Sequence, residues 1–375
     1  MLVGVPREIK NHEYRVGLTP QSVRALVARG HAVLVERNAG VGIGASDGEY
    51  REAGAAVVDT AEEIYARTEL IVKVKEPQEA ERRALRPGQV LFAYLHLAPD
   101  PEQTKDLVAS GAVAIAYETV TSEKGGLPLL APMSEVAGRM SVQVAAHYLE
   151  KPHGGRGVLM SGVTGGASAS VVIFGAGVAG ANAALVAAGM GAEVRVLDPS
   201  TEQLRRLQSQ LGSRVRTMVS TLAAVEEAVR GADAMIGAAL VPGALAPRLV
   251  TRTMLGTMRH GAVLVDVAID QGGCFETSRP TTHAVPTFVV DGIVHYCVAN
   301  MPGAVPRTST YALNNATLPF VLALAEQGRK AAMQRDRHLR NGLNICRGRV
   351  TNREVAKALG IALGVEWSDP AAAIA

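Results

Sequence analysis

Residues 171–198 read VVIFGAGVAGANAALVAAGMGAEVRVLD, and the architecture of the chain follows from them. A β-branched run at 171–174 enters the glycine pattern Gly175, Gly177, Val178, Gly180. An alanine-rich helical segment follows, and a second apolar run at 194–197 ends on Asp198. GxGxxG by itself is weak. Between a strand and a helix, with an acid about twenty residues on, it is a dinucleotide fingerprint. Gly175 permits the tight turn, Gly177 lets backbone approach a pyrophosphate, and Gly180 lets the helix lie close to its strand. The helix N-terminus offers N–H groups and a partial positive charge to the phosphates. Asp198 would accept hydrogen bonds from a ribose diol and repel a 2′-phosphate, which selects NAD over NADP. Residues 171–192 carry no charge, as a membrane span would. The glycine spacing, Asn182 and the lack of a second such segment favour a buried strand, turn and helix.

Length and composition agree with two globular domains. The chain has 375 residues, 48% hydrophobic and 19% charged, and a net charge of +3, so no basic field points to nucleic acid. The basic stretch at 330–357 reads as a solvated helical face. Cys274, Cys297 and Cys346 form no CxxC pair, which fits a reducing cytoplasm and argues against disulfides and a structural zinc site. No residues are assigned to a metal. MLVGVPREIK is a first strand rather than a secretory signal.

The first 128 residues alternate strands and helices, which implies a parallel sheet covered on both faces. The fold class expected is α/β: two Rossmann-like domains with parallel sheets, separated by a cleft and linked by two long helices. The domains expected are 1–128 with 308–375 for substrate and 129–307 for NAD. One helix is expected to start at an N-cap Ser134 and another near Thr308 or Ser309, bending at Pro319 and ending at Gly328. Asp291-Gly292 reads as a hairpin turn.

Parallel sheets hold ligands at the carboxyl ends of their strands. Arg15 lies in the loop after the first strand, Lys75 ends a strand read at 70–75, and His96 ends one read at 89–96. Arg15 is a surface charge on the plain reading and a clamp for a substrate carboxylate on the functional one. Lys73 and Lys75 share a strand face, and Lys75 is nearer the cleft. His96 can exchange a proton near neutrality, and His295 is its rival. Asp270 closes AVLVDVAID in a loop, with Asp266 its buried competitor. A cation pair, a histidine, a carboxylate and a hydride acceptor are what oxidation of an α-amino acid needs.

From the first strand to its end the chain resembles the alanine dehydrogenase family. The matching runs are VGVPREIKNHEYRVGLTP (3–20), ETVTSEKGGLPLLAPMSEVAGRMS (118–141), VDVAIDQGGCFETSRPTTH (265–283) and YCVANMPGAVPRTSTYALNNATLP (296–319). The first is shared with the soluble subunit of proton-translocating transhydrogenase. The resemblance implies NAD-dependent, reversible oxidative deamination of L-alanine to pyruvate and ammonium. It also implies a cytoplasmic homo-oligomer, usually a hexamer, with neither a nucleic-acid nor a membrane partner. It gives substrate binding to Arg15 and Lys75 and acid/base catalysis to His96 and Asp270. NAD contacts are implied at Ser134, the 175–180 loop with Val178, Asp198, Ser220, Ala239, Leu240, Val267, Ala268, Ile269, Asp270, Arg279, Val298, Ala299, Asn300 and Met301. Gln203 stands where relatives often carry a basic residue, and Thr164 where they tend to carry proline. The competing readings are a transhydrogenase-type subunit and a catalytically silent NAD-binding protein.

Overall fold

The computed structural model describes residues 1–239, 246–363 and 367–374, with 360–363 by backbone alone. The chain divides into two compact units, Met1–Met133 with Gly303–Ala375, and Ser134–Pro302. The first crossing falls inside the helix Ala131–Tyr148, and the second just before the helix Pro306–Arg335.

Among the described residues, fifteen strands build two sheets. In the first unit run β1 (Leu2–Val5), β2 (Ala32–Glu36), β3 (Ala56–Val58), β4 (Leu70–Val72), β5 (Val90–Ala93) and β6 (Val113–Ala116). The second unit holds β7 (Ser170–Phe174), β8 (Glu193–Asp198), β9 (Val215–Val219), β10 (Ala234–Gly237), β11 (Val263–Asp266), β12 (Thr287–Val290) and β13 (Ile293–Tyr296). β14 (Leu343–Cys346) and β15 (Arg349–Val350) return to the first unit.

The first sheet is ordered β15-β14-β6-β5-β4-β1-β2-β3. Its six early strands pair in parallel, and β14 and β15 add an antiparallel edge. LIV, VLFA and VAIA in β4, β5 and β6 are buried at every residue. Continuous apolar runs of this kind mark strands covered on both faces. The second sheet is ordered β12-β13-β11-β10-β7-β8-β9, parallel except for β12. Its strand order reverses at β7 and β10, which puts a topological switch point at the carboxyl end of β7.

The uncharged stretch after β7 is the 12-residue helix Val178–Gly189, which buries Gly180, Ala183, Ala184 and Ala187 along one face. Small side chains at that spacing let the helix approach its sheet. No described helix is long and apolar enough to cross a membrane. The hairpin forms as expected, with Asp291 and Gly292 at φ 51° and 77°.

Several boundaries differ from expectation. Ser134 lies within the first turn of its helix instead of capping it, because the Leu127 carbonyl already accepts from Leu130 and Ala131. The later helix begins at Pro306, continues through Pro319 and breaks at Gly328 (φ 72°, ψ 154°). The basic stretch at 330–357 is not one helical face. It contains β14 and β15, because Leu343 and Ile345 alternate into the core and Arg347-Gly348 turns the chain with positive φ at both residues.

Candidate active site

Each unit is built outward from the carboxyl ends of its parallel strands. In the first unit β4 and β5 stop earlier than expected, so Lys75 and His96 each lie three residues past a strand. Two carboxylates end the pairing. Glu8, in the loop after β1, accepts from the Val74 N–H at 2.6 Å and the Lys75 N–H at 3.4 Å. Glu118, just after β6, accepts from the His96 N–H at 2.7 Å and the Leu95 N–H at 3.2 Å. His96 adopts φ 48°, in the left-handed region. Gln103 Nε2 donates to the Leu95 carbonyl at 2.5 Å, so side chains hold this turn from both sides.

These turns bring two expected residues together. The buried Lys75 Nζ stands 3.5 Å from Nε2 of the half-buried His96. The Tyr94 ring stacks on His96, with centroids 5.8 Å apart and planes 8° from parallel. Tyr94 also feels the charge of Arg15.

Arg15 is only 2% exposed, which excludes the surface reading. Its Nε and Nη2 donate to the two Glu13 oxygens at 2.7 and 2.5 Å, and Nη1 lies 3.0 Å from Met133 Sδ. Burial alone would push the guanidinium down, but the Glu13 carboxylate more than offsets it and the net shift is upward. One edge of the fork is therefore held by Glu13.

Lys73 does not share a destination with Lys75. It is fully buried, with its ammonium between Glu8 (3.1 Å) and Glu81 (2.7 Å). Tyr65 adds a hydrogen bond to Glu81 at 3.1 Å. His295 is likewise internal: Nδ1 lies 2.9 Å from the Ile293 carbonyl and Nε2 2.7 Å from Thr277 Oγ1. Burial lowers its pKa.

In the second unit the fingerprint glycines form the tight turn expected of them. Gly175 adopts φ 101°, and a Cβ at Gly180 would fall 1.8 Å from the Gly175 carbonyl oxygen, so neither position accepts a side chain. Gly177 caps the helix N-terminus and has open space where a Cβ would stand. Asp198 accepts from the Ala176 N–H and the Ser200 N–H, both at 2.7 Å, which ties the end of β8 to the glycine turn. Ser220 follows β9, and Ala239 follows β10. Val267, Ala268, Ile269 and Asp270 follow β11, and Val298, Ala299, Asn300 and Met301 follow β13. The residues expected to contact a dinucleotide thus fall just beyond the ends of adjacent strands, with Ser134 on the helix Ala131–Tyr148 and Arg279 stacked 4.3 Å over the Phe288 ring. Leu240 lies outside the described residues.

Asp270 is exposed in the short turn Ile269–Gln271. Asp266 is fully buried and accepts from Ser278 Oγ (2.6 Å), the Cys274 N–H (2.8 Å) and the Ala268 N–H (3.1 Å). Burial pushes its carboxyl up to about 6, against the pull of those donors. It shapes the loop that presents Asp270. Glu13, Glu118 and Asp266 are the residues that sequence reasoning missed as organisers of the site. Glu118 and Asp266 were open to the strand-end rule, one just past β6 and the other at the end of β11, whereas Glu13 had only its place two residues before Arg15.

Comparison with known proteins fits this architecture. Residues 4–137 match the family model "Alanine dehydrogenase/PNT, N-terminal domain" and residues 141–353 match "Alanine dehydrogenase/PNT, C-terminal domain". The alanine dehydrogenase of Halomonas elongata is 59% identical over 96% of this chain and 97% of its own. That of Mycobacterium tuberculosis is 51% identical over the full length of both. A solved L-alanine dehydrogenase superposes with a TM-score of 0.93 at 51% identity, covering 96% of this chain and 99% of its own. A transhydrogenase from Sinorhizobium meliloti reaches 0.81 at 27% identity, covering 94% and 99%. On near-complete coverage by both halves of the family model and on these identities, the chain belongs to the alanine dehydrogenase/PNT family.

Proposed function

We propose that the protein is an NAD-dependent L-alanine dehydrogenase, interconverting L-alanine with pyruvate and ammonium. The observation that carries this reading is the Lys75–His96 pair, a buried amine 3.5 Å from an imidazole at the ends of adjacent parallel strands. The identity of 59% to an alanine dehydrogenase, against 27% to a transhydrogenase, supports it over the transhydrogenase alternative. A silent binding protein would have no use for the pair.

In this reading the discontinuous unit takes the substrate and the unit Ser134–Pro302 takes the dinucleotide. The lysine ammonium and the Arg15 guanidinium bind the substrate carboxylate. The 175–180 loop and its helix hold the pyrophosphate, and Asp198 the adenosine ribose. NAD bound there supplies the hydride acceptor. His96 and Asp270 share the proton transfers: removing a proton from the substrate amine, activating water for attack on the imine, and protonating the departing ammonia. We also infer a cytoplasmic homo-oligomer.

The test is NADH consumption with pyruvate and ammonium. Turnover should need ammonium and fall sharply with NADPH, because the Asp198 carboxylate repels a 2′-phosphate. NADH binding without turnover would leave the silent-protein reading.

Glu118 is assigned as the residue that positions His96. Glu118→Gln keeps the size but turns an amide toward backbone N–H donors. It is expected to lower kcat by roughly ten- to a hundredfold, the scale of a misplaced catalytic group, with the pyruvate KM nearly unchanged. Partial recovery in Glu118→Asp, measured by steady-state kinetics, would separate positioning from a general packing role.

A further inference from the structure

A second cluster of chemically competent side chains uses none of the residues given a role above. The helix Ala131–Tyr148 ends in the sequence HYLEKPH, residues 147–153, and the short turn Lys151–His153 follows it. His147 and Glu150 are three residues apart, one helical turn. Gly154, at φ 86°, closes the next turn and brings His153 back toward them. The His147 and His153 ring centroids lie 3.9 Å apart, and His153 Nε2 is 3.7 Å from a Glu150 oxygen. One donor atom from each of the three lies within 4.8 Å of the others.

The scaffold under these side chains is well tied. The Glu150 N–H donates to the His147 carbonyl at 3.2 Å, the His153 N–H to the Glu150 carbonyl at 3.1 Å, and the Gly157 N–H to the Leu149 carbonyl at 2.8 Å. All three side chains are exposed, so burial does not force them together. Two imidazole nitrogens and one carboxylate oxygen suit zinc and its neighbours, whereas magnesium and calcium take oxygen ligands. Bonds of about 2.0–2.1 Å at tetrahedral angles put donors roughly 3.3 Å apart. Exposed side chains can close from 4.8 Å to that spacing by rotamer adjustment alone. The site also faces the C-terminal end of an 18-residue helix, where the backbone dipole favours a cation.

We propose that His147, Glu150 and His153 bind one divalent ion of the zinc class, with water in the remaining position, and that the ion staples the end of the helix to the turn after it. The cysteine count, which argued against a structural zinc site, has no bearing on a histidine–carboxylate set. The site is independent of the proposed dehydrogenase activity.

The test uses the full chain stripped with a chelator. Equilibrium dialysis with Zn2+ should give one tight equivalent per chain, and titration with Co2+ the strong visible absorption of a four-coordinate centre. His147→Ala and His153→Ala should each weaken binding by roughly tenfold or more, and the double variant should lose the cobalt band. His260→Ala, at an exposed histidine elsewhere, should change neither. Zn2+ should raise the thermal unfolding midpoint of the wild type and not of the double variant. Absence of a stoichiometric ion, or retention of it by the double variant, overturns the proposal.

Discussion

Replacing His96 is expected to lower kcat by about a hundred- to ten-thousand-fold, the usual contribution of a general acid/base. The imidazole stands 3.5 Å from Lys75 and stacks on Tyr94, so its loss removes a proton carrier from beside the proposed carboxylate site. His96→Ala confounds two effects, because residue 96 sits at φ 48° and alanine there carries a backbone penalty of roughly 1–2 kcal/mol. Asparagine tolerates that conformation and cannot exchange a proton near neutrality. Both variants should therefore lose kcat to a similar extent while NADH affinity, set by the other unit in this reading, stays within about twofold. Steady-state kinetics with fluorescence titration of NADH checks both. Activity of His96→Asn within tenfold of wild type would remove His96 from the proton-transfer role.

Lys73→Met is expected to be the most damaging change to stability. The lysine and the carboxylates of Glu8 and Glu81 are almost wholly buried, and removing the ammonium leaves two acids facing each other without a counter-ion. Breaking a buried pair from one side costs about 3–5 kcal/mol. The loss should depend on pH in a defined direction. Burial already lifts the Glu8 carboxyl to about 7, with Lys73 pulling it down. Without Lys73 the folded-state pKa rises further above the unfolded value. Stability is then retained at acid pH, where the Glu8 carboxyl is protonated, and lost as pH rises through its folded-state pKa. Urea unfolding at pH 5.5 and pH 8 should show the gap between wild type and variant widening at the higher pH. An equal gap at both would mean that packing, not charge, dominates. The same variant should disturb the site, since Glu8 also fixes the backbone of Val74 and Lys75.

Much of this protein was legible in its sequence because the signals are local. GxGxxG needs only the strand before it, the helix after it and Asp198 beyond. The structure shows why substitution there is restricted: positive φ at Gly175 and the closeness of Gly180 to the Gly175 carbonyl. Apolar runs with no alternation announced parallel strands covered on both faces, and the carboxyl-end rule then selected Arg15, Lys75, His96 and Asp270. The hairpin at Asp291-Gly292 was equally local. The trio His147, Glu150 and His153 was also present as a spacing, but cysteine-centred reasoning about metals passed over it.

Local signals in the chain were enough for the fold class, the family, and a short set of chemically able residues, several of which had rivals. Tertiary structure shows which member of each pair is held by internal partners, and the reason is the same each time. Lys73 meets Glu8 across 65 residues of chain, and His295 meets Thr277 across 18. Asp266 draws in Ser278 and the Cys274 amide. Burial makes an unpaired polar group so costly that each of these residues is consumed by partners that only folding brings near. Lys75, His96 and Asp270 sit past the strand ends, in turns where regular pairing has stopped. Where a strand stops is itself a tertiary matter. Glu8 and Glu118 take over the backbone donors that would have continued the ladder, and nothing within β4 or β5 announces it.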